Sequence, residues 1–165
     1  MIYNGSCHCG TVKIQLEAES VTKAICHCLD CQKVCRPLFA FVIIHRQLSS
    51  NVNQRTASAF SVNVIAPREH FKVTQGKFHF ILPGKTKTWS YTSDSGKDYI
   101  VNFCGDCGST LFGEPTRLPD VVSIKAGCLD NSGTNLGSMD AEVFVERRVD
   151  YLKPFEGMKQ IVGMI

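Results

Sequence analysis

Apolar and polar residues alternate with a period of two along much of the chain. Over residues 11–17, Val12, Ile14 and Leu16 share one parity, the mark of a strand with one buried face. Residues 61–66, 71–74 and 78–82 are rich in β-branched and aromatic side chains, which favour strands. Residues 99–103, 121–126 and 142–145 read the same way. Pro83-Gly84 and Asp94-Ser95-Gly96 are turn signals between such runs. Helical periodicity is hard to find. The pattern predicts a mostly β fold of antiparallel strands.

One stretch breaks the pattern. Residues 34–55 begin with an apolar run, Leu38-Phe39-Ala40-Phe41-Val42-Ile43-Ile44, and continue into Gln, Asn and Ser without a glycine. That run is far too short to span a bilayer.

Composition narrows the picture. A chain of 165 residues suits one domain, and 44% hydrophobic with 20% charged residues is ordinary for a globular protein. The net charge of +3 comes without a dense basic run, so neither nucleic acid nor a membrane surface is expected as a partner. The first residues show no basic segment followed by an apolar one, so no signal peptide is expected and a cytoplasmic location is.

Nine cysteines change the picture most. Disulfides would leave one over. In a reducing compartment, clustered cysteines serve as metal ligands or in catalysis. Cys104-Gly105-Asp106-Cys107-Gly108 has the spacing of a zinc-knuckle half-site, with glycines that permit a tight turn. In Cys7-His8-Cys9-Gly10, residues i and i+2 on an extended segment point to one side. Cys7, Cys9, Cys104 and Cys107 together would make a closed structural zinc site. A redox Cys-x-x-Cys would need a βαβ context, and none is visible.

Cys26-His27-Cys28-Leu29-Asp30-Cys31 differs. Cys26, Cys28 and Cys31 offer three ligands and leave a fourth position open, the arrangement of catalytic zinc. Cys35 could instead close that site. His27 would point away from the sulfurs, or act as a ligand, an outer donor or a proton shuttle. Cys128 lies in an alternating apolar stretch and reads as a buried core thiol. His45, His70 and His79 are isolated. Pro83-Gly84-Lys85-Thr86 resembles the end of a P-loop, but the required first glycine is His79.

At these residues the chain resembles the glutathione-dependent formaldehyde-activating enzyme family, also called the centromere protein V/formaldehyde-activating domain. Residues 5–10, 26–33 and 103–109 look like its three cysteine motifs, in order. Lys125-Ala126-Gly127-Cys128-Leu129-Asp130 resembles a later element, with Cys128 where a Thr or other small residue is usual. Residues 142–151 resemble the closing element, with Tyr151 where Trp is common. The resemblance implies a β-tent fold with zinc knuckles. It implies structural zinc on Cys7, Cys9, Cys104 and Cys107, and catalytic zinc on Cys26, Cys28 and Cys31. It also implies a carbon–sulfur lyase forming S-(hydroxymethyl)glutathione from formaldehyde, with glutathione as co-substrate. The expected partners are a small thiol and a small electrophile. A non-catalytic zinc-binding interaction module of the same fold is the alternative reading.

Against family members, Cys31-Gln32-Lys33 would join directly to Thr56-Ala57-Ser58. Residues 34–55 therefore read as an insertion in a single domain spanning 1–165, either a retained intron or a genuine loop.

Overall fold

The computed structural model describes residues 1–33, 58–76, 85–130 and 136–164. The strands, in chain order, are β1 (Ile2–Ser6), β2 (Lys13–Glu17), β3 (Thr22–Cys26), β4 (Ser61–Pro67), β5 (Phe71–Gln75), β6 (Thr86–Thr92), β7 (Asp98–Cys104), β8 (Thr110–Pro115), β9 (Val121–Lys125), β10 (Ala141–Val143) and β11 (Lys159–Ile161). One short helix, α1 (Leu29–Lys33), follows β3, with Asp30 in its first turn, where a negative charge suits the helix dipole. The mostly β expectation holds.

The strands form two sheets. The smaller has the order β1-β2-β5, and the larger has the order β11-β10-β3-β4-β9-β8-β7-β6. The residues at 11–17, 61–66, 71–74, 99–103 and 121–126 are strands or lie largely within them, as their alternation predicts. The candidate strand at 78–82 lies outside the described residues.

The pairing is mostly antiparallel, as expected, with one parallel region toward an edge of the larger sheet. β10 runs parallel to both β3 and β11, with Ala141 beside Ala24 and Lys159. Hairpins force antiparallel pairing, whereas β10 reaches its neighbours through long connections that leave direction free. Residues 142–145 do not form one strand. β10 stops at Val143, Phe144 takes a left-handed conformation with φ 56°, and a single 3-10 turn covers Val145–Arg147.

Alternation assigns the two faces of the large sheet. On β4, Val62, Val64 and Ala66 face the main core, and on β9 Val122 and Ile124 do the same. They meet Val12, Ile14 and Leu16 of β2 and Phe71 of β5, so the core lies between the two sheets. Ser61 and Asn63 of β4, and Ser123 and Lys125 of β9, have the opposite parity and furnish the other face.

Gly5 is where the sheets close on each other. It bridges to Leu129, and a Cβ placed on it would lie 2.5 Å from the carbonyl oxygen of Cys128. No side chain fits without moving β1 away from the end of β9. Gly5→Val is therefore expected to cost about 1–3 kcal/mol, the range for overpacking. Urea unfolding of the full-length protein measures it, and an unchanged midpoint would contradict this packing.

Candidate metal centre

The first cysteine group joins distant parts of the chain. Cys7 and Cys9 follow β1, while Cys104 ends β7 and Cys107 sits in the turn after it. The turn closes through the Gly108 N–H donating to the Cys104 carbonyl at 2.7 Å, and Gly108 has φ 67°. The Cys7 loop closes likewise, with the Gly10 N–H donating to the Cys7 carbonyl at 2.9 Å. All four sulfurs lie within 4.8 Å of one another. Cys7 and Cys9 are 3.4 Å apart, and Cys9 and Cys104 are 3.7 Å apart.

Polar groups surround these sulfurs. The Val12 N–H donates to Cys7 Sγ at 3.3 Å, Thr11 Oγ1 lies 3.1 Å from Cys9 Sγ, and Ser109 Oγ lies 3.2 Å from Cys107 Sγ. Burial raises the Cys107 thiol's pKa, but bonds from the Ser109 hydroxyl and from backbone N–H groups outweigh it and bring it to about 6. A thiol held this way is ready to serve as a thiolate ligand.

The second group is local. Cys26 ends β3, Cys28 follows it and Cys31 rides on α1. Their sulfurs also lie within 4.8 Å of one another. The Cys31 N–H donates to Cys28 Sγ at 3.3 Å. Gln32 locks the loop: its amide donates to the carbonyls of His27 at 2.8 Å and Arg147 at 3.0 Å. Among the thiols, hydrogen bonds from Cys26 and Cys28 hold Cys31 well below its ordinary value, helped by the Lys125 charge and the Ser61 hydroxyl, while Cys26 is pushed up. Among the described residues no fourth ligand atom joins this group. Cys35, the candidate for closing it, lies outside the described residues, as do His45 and His79.

His27 turns away from the sulfurs. It is fully buried, and its Nε2 lies 2.7 Å from Glu142 Oε1. Among the described residues, its Nδ1 has no hydrogen-bond partner. Glu142, also fully buried, accepts from Arg148 Nε at 2.8 Å, Gln160 Nε2 at 2.7 Å and the Phe155 N–H at 3.3 Å. Burial alone would raise this carboxyl's pKa, but the bonds from Arg148, Gln160, His27 and Phe155 prevail and hold it at about 2. Sequence reading placed Glu142 in a strand without seeing this role. An acid at a position of strand parity that should be buried was the available signal.

The remaining sequence candidates are placed simply. Cys128 is half-buried against the main core, its Sγ donating to the Thr110 carbonyl at 2.8 Å. His70 is exposed beside Glu69. Among the described residues, no helix is long and apolar enough to cross a membrane.

These features define a mostly β protein with two cysteine groups able to hold metal ions. The family profile described as glutathione-dependent formaldehyde-activating enzyme matches residues 2–55 and 49–147, and the chain belongs to that family. Its fold is similar to that of a Rhodobacter sphaeroides protein solved by crystallography. That match has 16% identity and a TM-score of 0.50, and covers 82% of this chain and 96% of that one. No curated protein sequence matches the chain.

Glu142 yields a test of the buried cluster. Its folded pKa is depressed from 4.5 to about 2, so its contribution is complete above pH 4.5 and is lost as pH falls toward 2. Glu142→Gln leaves Arg148 without its charged partner and should cost on the order of 3 kcal/mol at pH 7. The gap to the parent protein, from urea unfolding, should stay constant between pH 7 and pH 5. A gap that closes within that interval would show that the carboxylate is not held as described.

Proposed function

We propose that this protein is a zinc-dependent carbon–sulfur lyase acting on thiol adducts of formaldehyde or another small electrophile, with glutathione as the thiol. The observation that carries this reading is the second cysteine group: three sulfurs within 4.8 Å, with no fourth ligand among the described residues, in a chain of this family.

The donor chemistry fits zinc at both places. Tetrahedral zinc with sulfur ligands at about 2.3 Å sets neighbouring sulfurs about 3.8 Å apart. The separations of 3.4 and 3.7 Å at the first group lie close to this. Cys7, Cys9, Cys104 and Cys107 would hold a structural ion that ties the start of the chain to its later half. Cys26, Cys28 and Cys31 would hold the reactive one. Zinc there would supply a position at which an incoming thiol ionises and is oriented.

The chain's own residues prepare that position. Gln32 keeps Cys28 and Cys31 in register by bonding the carbonyls of His27 and Arg147. The ring stack Trp89–Tyr91–Tyr99, with centroids 5.2 and 5.7 Å apart, extends along β6 and β7. Burial raises the pKa of both the Tyr91 and Tyr99 hydroxyls, and the charge of Cys31 adds to it in each.

Two experiments test this reading. Metal analysis should find two zinc ions per chain. Cys104→Ser should lose zinc and unfold, because metal binding at a closed site is coupled to folding. Cys28→Ser should stay folded with one zinc and lose turnover of the glutathione–formaldehyde adduct. Full turnover with the second zinc gone would sink the mechanism.

The second experiment concerns residues 34–55, which we take as an insertion. Cys26 pairs with Ser61 across the β3–β4 ladder, so residues 27–33 and 56–60 suffice to connect the two strands. Long loops add little closure entropy, so removing this one should leave the fold intact. A chain lacking 34–55 is expected to be more soluble and at least as active. Loss of zinc or of the folded state on deletion would make the segment integral to the domain.

A further inference from the structure

The face of the large sheet turned away from the core carries a continuous polar seam that ends at the three-cysteine group. Tyr99 of β7 begins it. The ring lies across Gly113 of β8, where a Cβ would come within 2.0 Å of its hydroxyl. Only glycine lets the ring cross β8 to reach Ser123 of β9, its hydrogen-bond partner. Ser123 Oγ donates to Asn63 Oδ1 at 3.4 Å, and Lys125 Nζ donates to the same oxygen at 2.8 Å. Asn63 Nδ2 donates to Ser61 Oγ at 2.9 Å, and Lys125 Nζ lies 3.5 Å from that oxygen. Ser61 is the register partner of Cys26 and bonds Cys31.

Every member of the seam except Lys125 is neutral. Among the described residues of the seam, Lys125 carries the positive charge, and Asn63 and Ser61 of the neighbouring strand hold its ammonium. Three cysteinates around a divalent ion leave one net negative charge, which repels any further anion. A fixed lysine beside them cancels it.

We propose that Lys125 is a ligand-selecting residue that lets the three-cysteine centre accept an anionic sulfur as its fourth ligand in preference to a neutral one. The inference rests on the proposed function, since it concerns the position at which the substrate thiol would bind. Asn63 and Ser61 are positioning residues, because they act only by holding the ammonium. The seam thereby names the class of ligand the centre takes: a thiolate.

The test uses the full-length protein loaded with cobalt(II) as a spectroscopic stand-in for zinc. The probes are 2-mercaptoethanol, which binds as a thiolate and has no other charge, glutathione, whose thiol comes with carboxylates, and imidazole, which binds neutral. The variants are Lys125→Gln, Lys125→Met and Lys125→Arg, and the absorption of the four-cysteine centre reports that each is folded. Lys125→Gln and Lys125→Met should bind 2-mercaptoethanol about tenfold more weakly or worse, with imidazole unchanged. Lys125→Arg should restore thiol binding. Equal weakening of both probes would mark Lys125 as merely structural and overturn the proposal, as would parent-like thiol binding by the neutral variants. An effect confined to glutathione would mean that Lys125 reads its carboxylates rather than its sulfur, which also overturns it. If the parent's three-cysteine centre takes up neither cobalt nor thiol, the proposed function falls as well.

Discussion

The period of two in β4 and β9 is the constraint on which the rest depends. These central strands divide their side chains between opposite tasks. Val62, Val64, Ala66, Val122 and Ile124 build the core against the smaller sheet. The residues between them, Ser61, Asn63, Ser123 and Lys125, stand on the other face as a hydrogen-bonded row. A slip of one residue in β9 would bury the lysine and expose Val122, and a slip in β4 would bury Asn63 and expose Val62 and Val64. The ladder that keeps the core apolar therefore also holds the polar seam in place beside Cys26 and Cys31.

The two cysteine groups are assembled differently. The three-cysteine group is local, made from the end of β3 and one turn of α1, and needs outside help to keep its shape. Gln32 supplies some by bonding two carbonyls, one of them from the 3-10 turn after β10. β10 and the residue after it supply more: Ala141, Val143 and Phe144 pack with Cys28. The four-cysteine group is non-local and draws two sulfurs from each of two turns about a hundred residues apart in sequence. Such a closure carries a loop-entropy cost that packing and ligand binding must offset. The tight contact at Gly5 and the core between the sheets bring the two turns together from the same side.

Glu142 is the hub on the side away from the sulfurs. A buried carboxylate is stable only when its acceptor capacity is met. Here His27, Arg148, Gln160 and the Phe155 N–H all converge on it. It ties the cysteine loop to β11 and to the segment that precedes it. That explains why the edge of the sheet is built from short parallel strands: β10 and β11 make few ladder bonds, and the charged cluster reinforces them.

Much of this was legible in the chain itself. The strands around Val12, Val64, Val101 and Val122 show their alternation directly, because one face is buried and the other is not. The cysteine groups were legible too, since i, i+2 and i, i+3 spacings are local geometry. The family motifs were equally plain in the order of those cysteines. Other features were decided only by the tertiary structure. The strand β6, Thr-Lys-Thr-Trp-Ser-Tyr-Thr, ends the sheet order among the described residues, and its two aromatic residues amid polar ones are too weak a pattern to betray it. The direction of β10 depends on long connections that local pattern does not constrain. The partnership of His27 with Glu142, 115 residues apart, and of Lys125 with Asn63, 62 apart, exists only because sheet register brings them together. Residue type and spacing reach only as far as one turn or one strand. Which charge stands beside which sulfur is set by strand order, and strand order is a property of the packed whole.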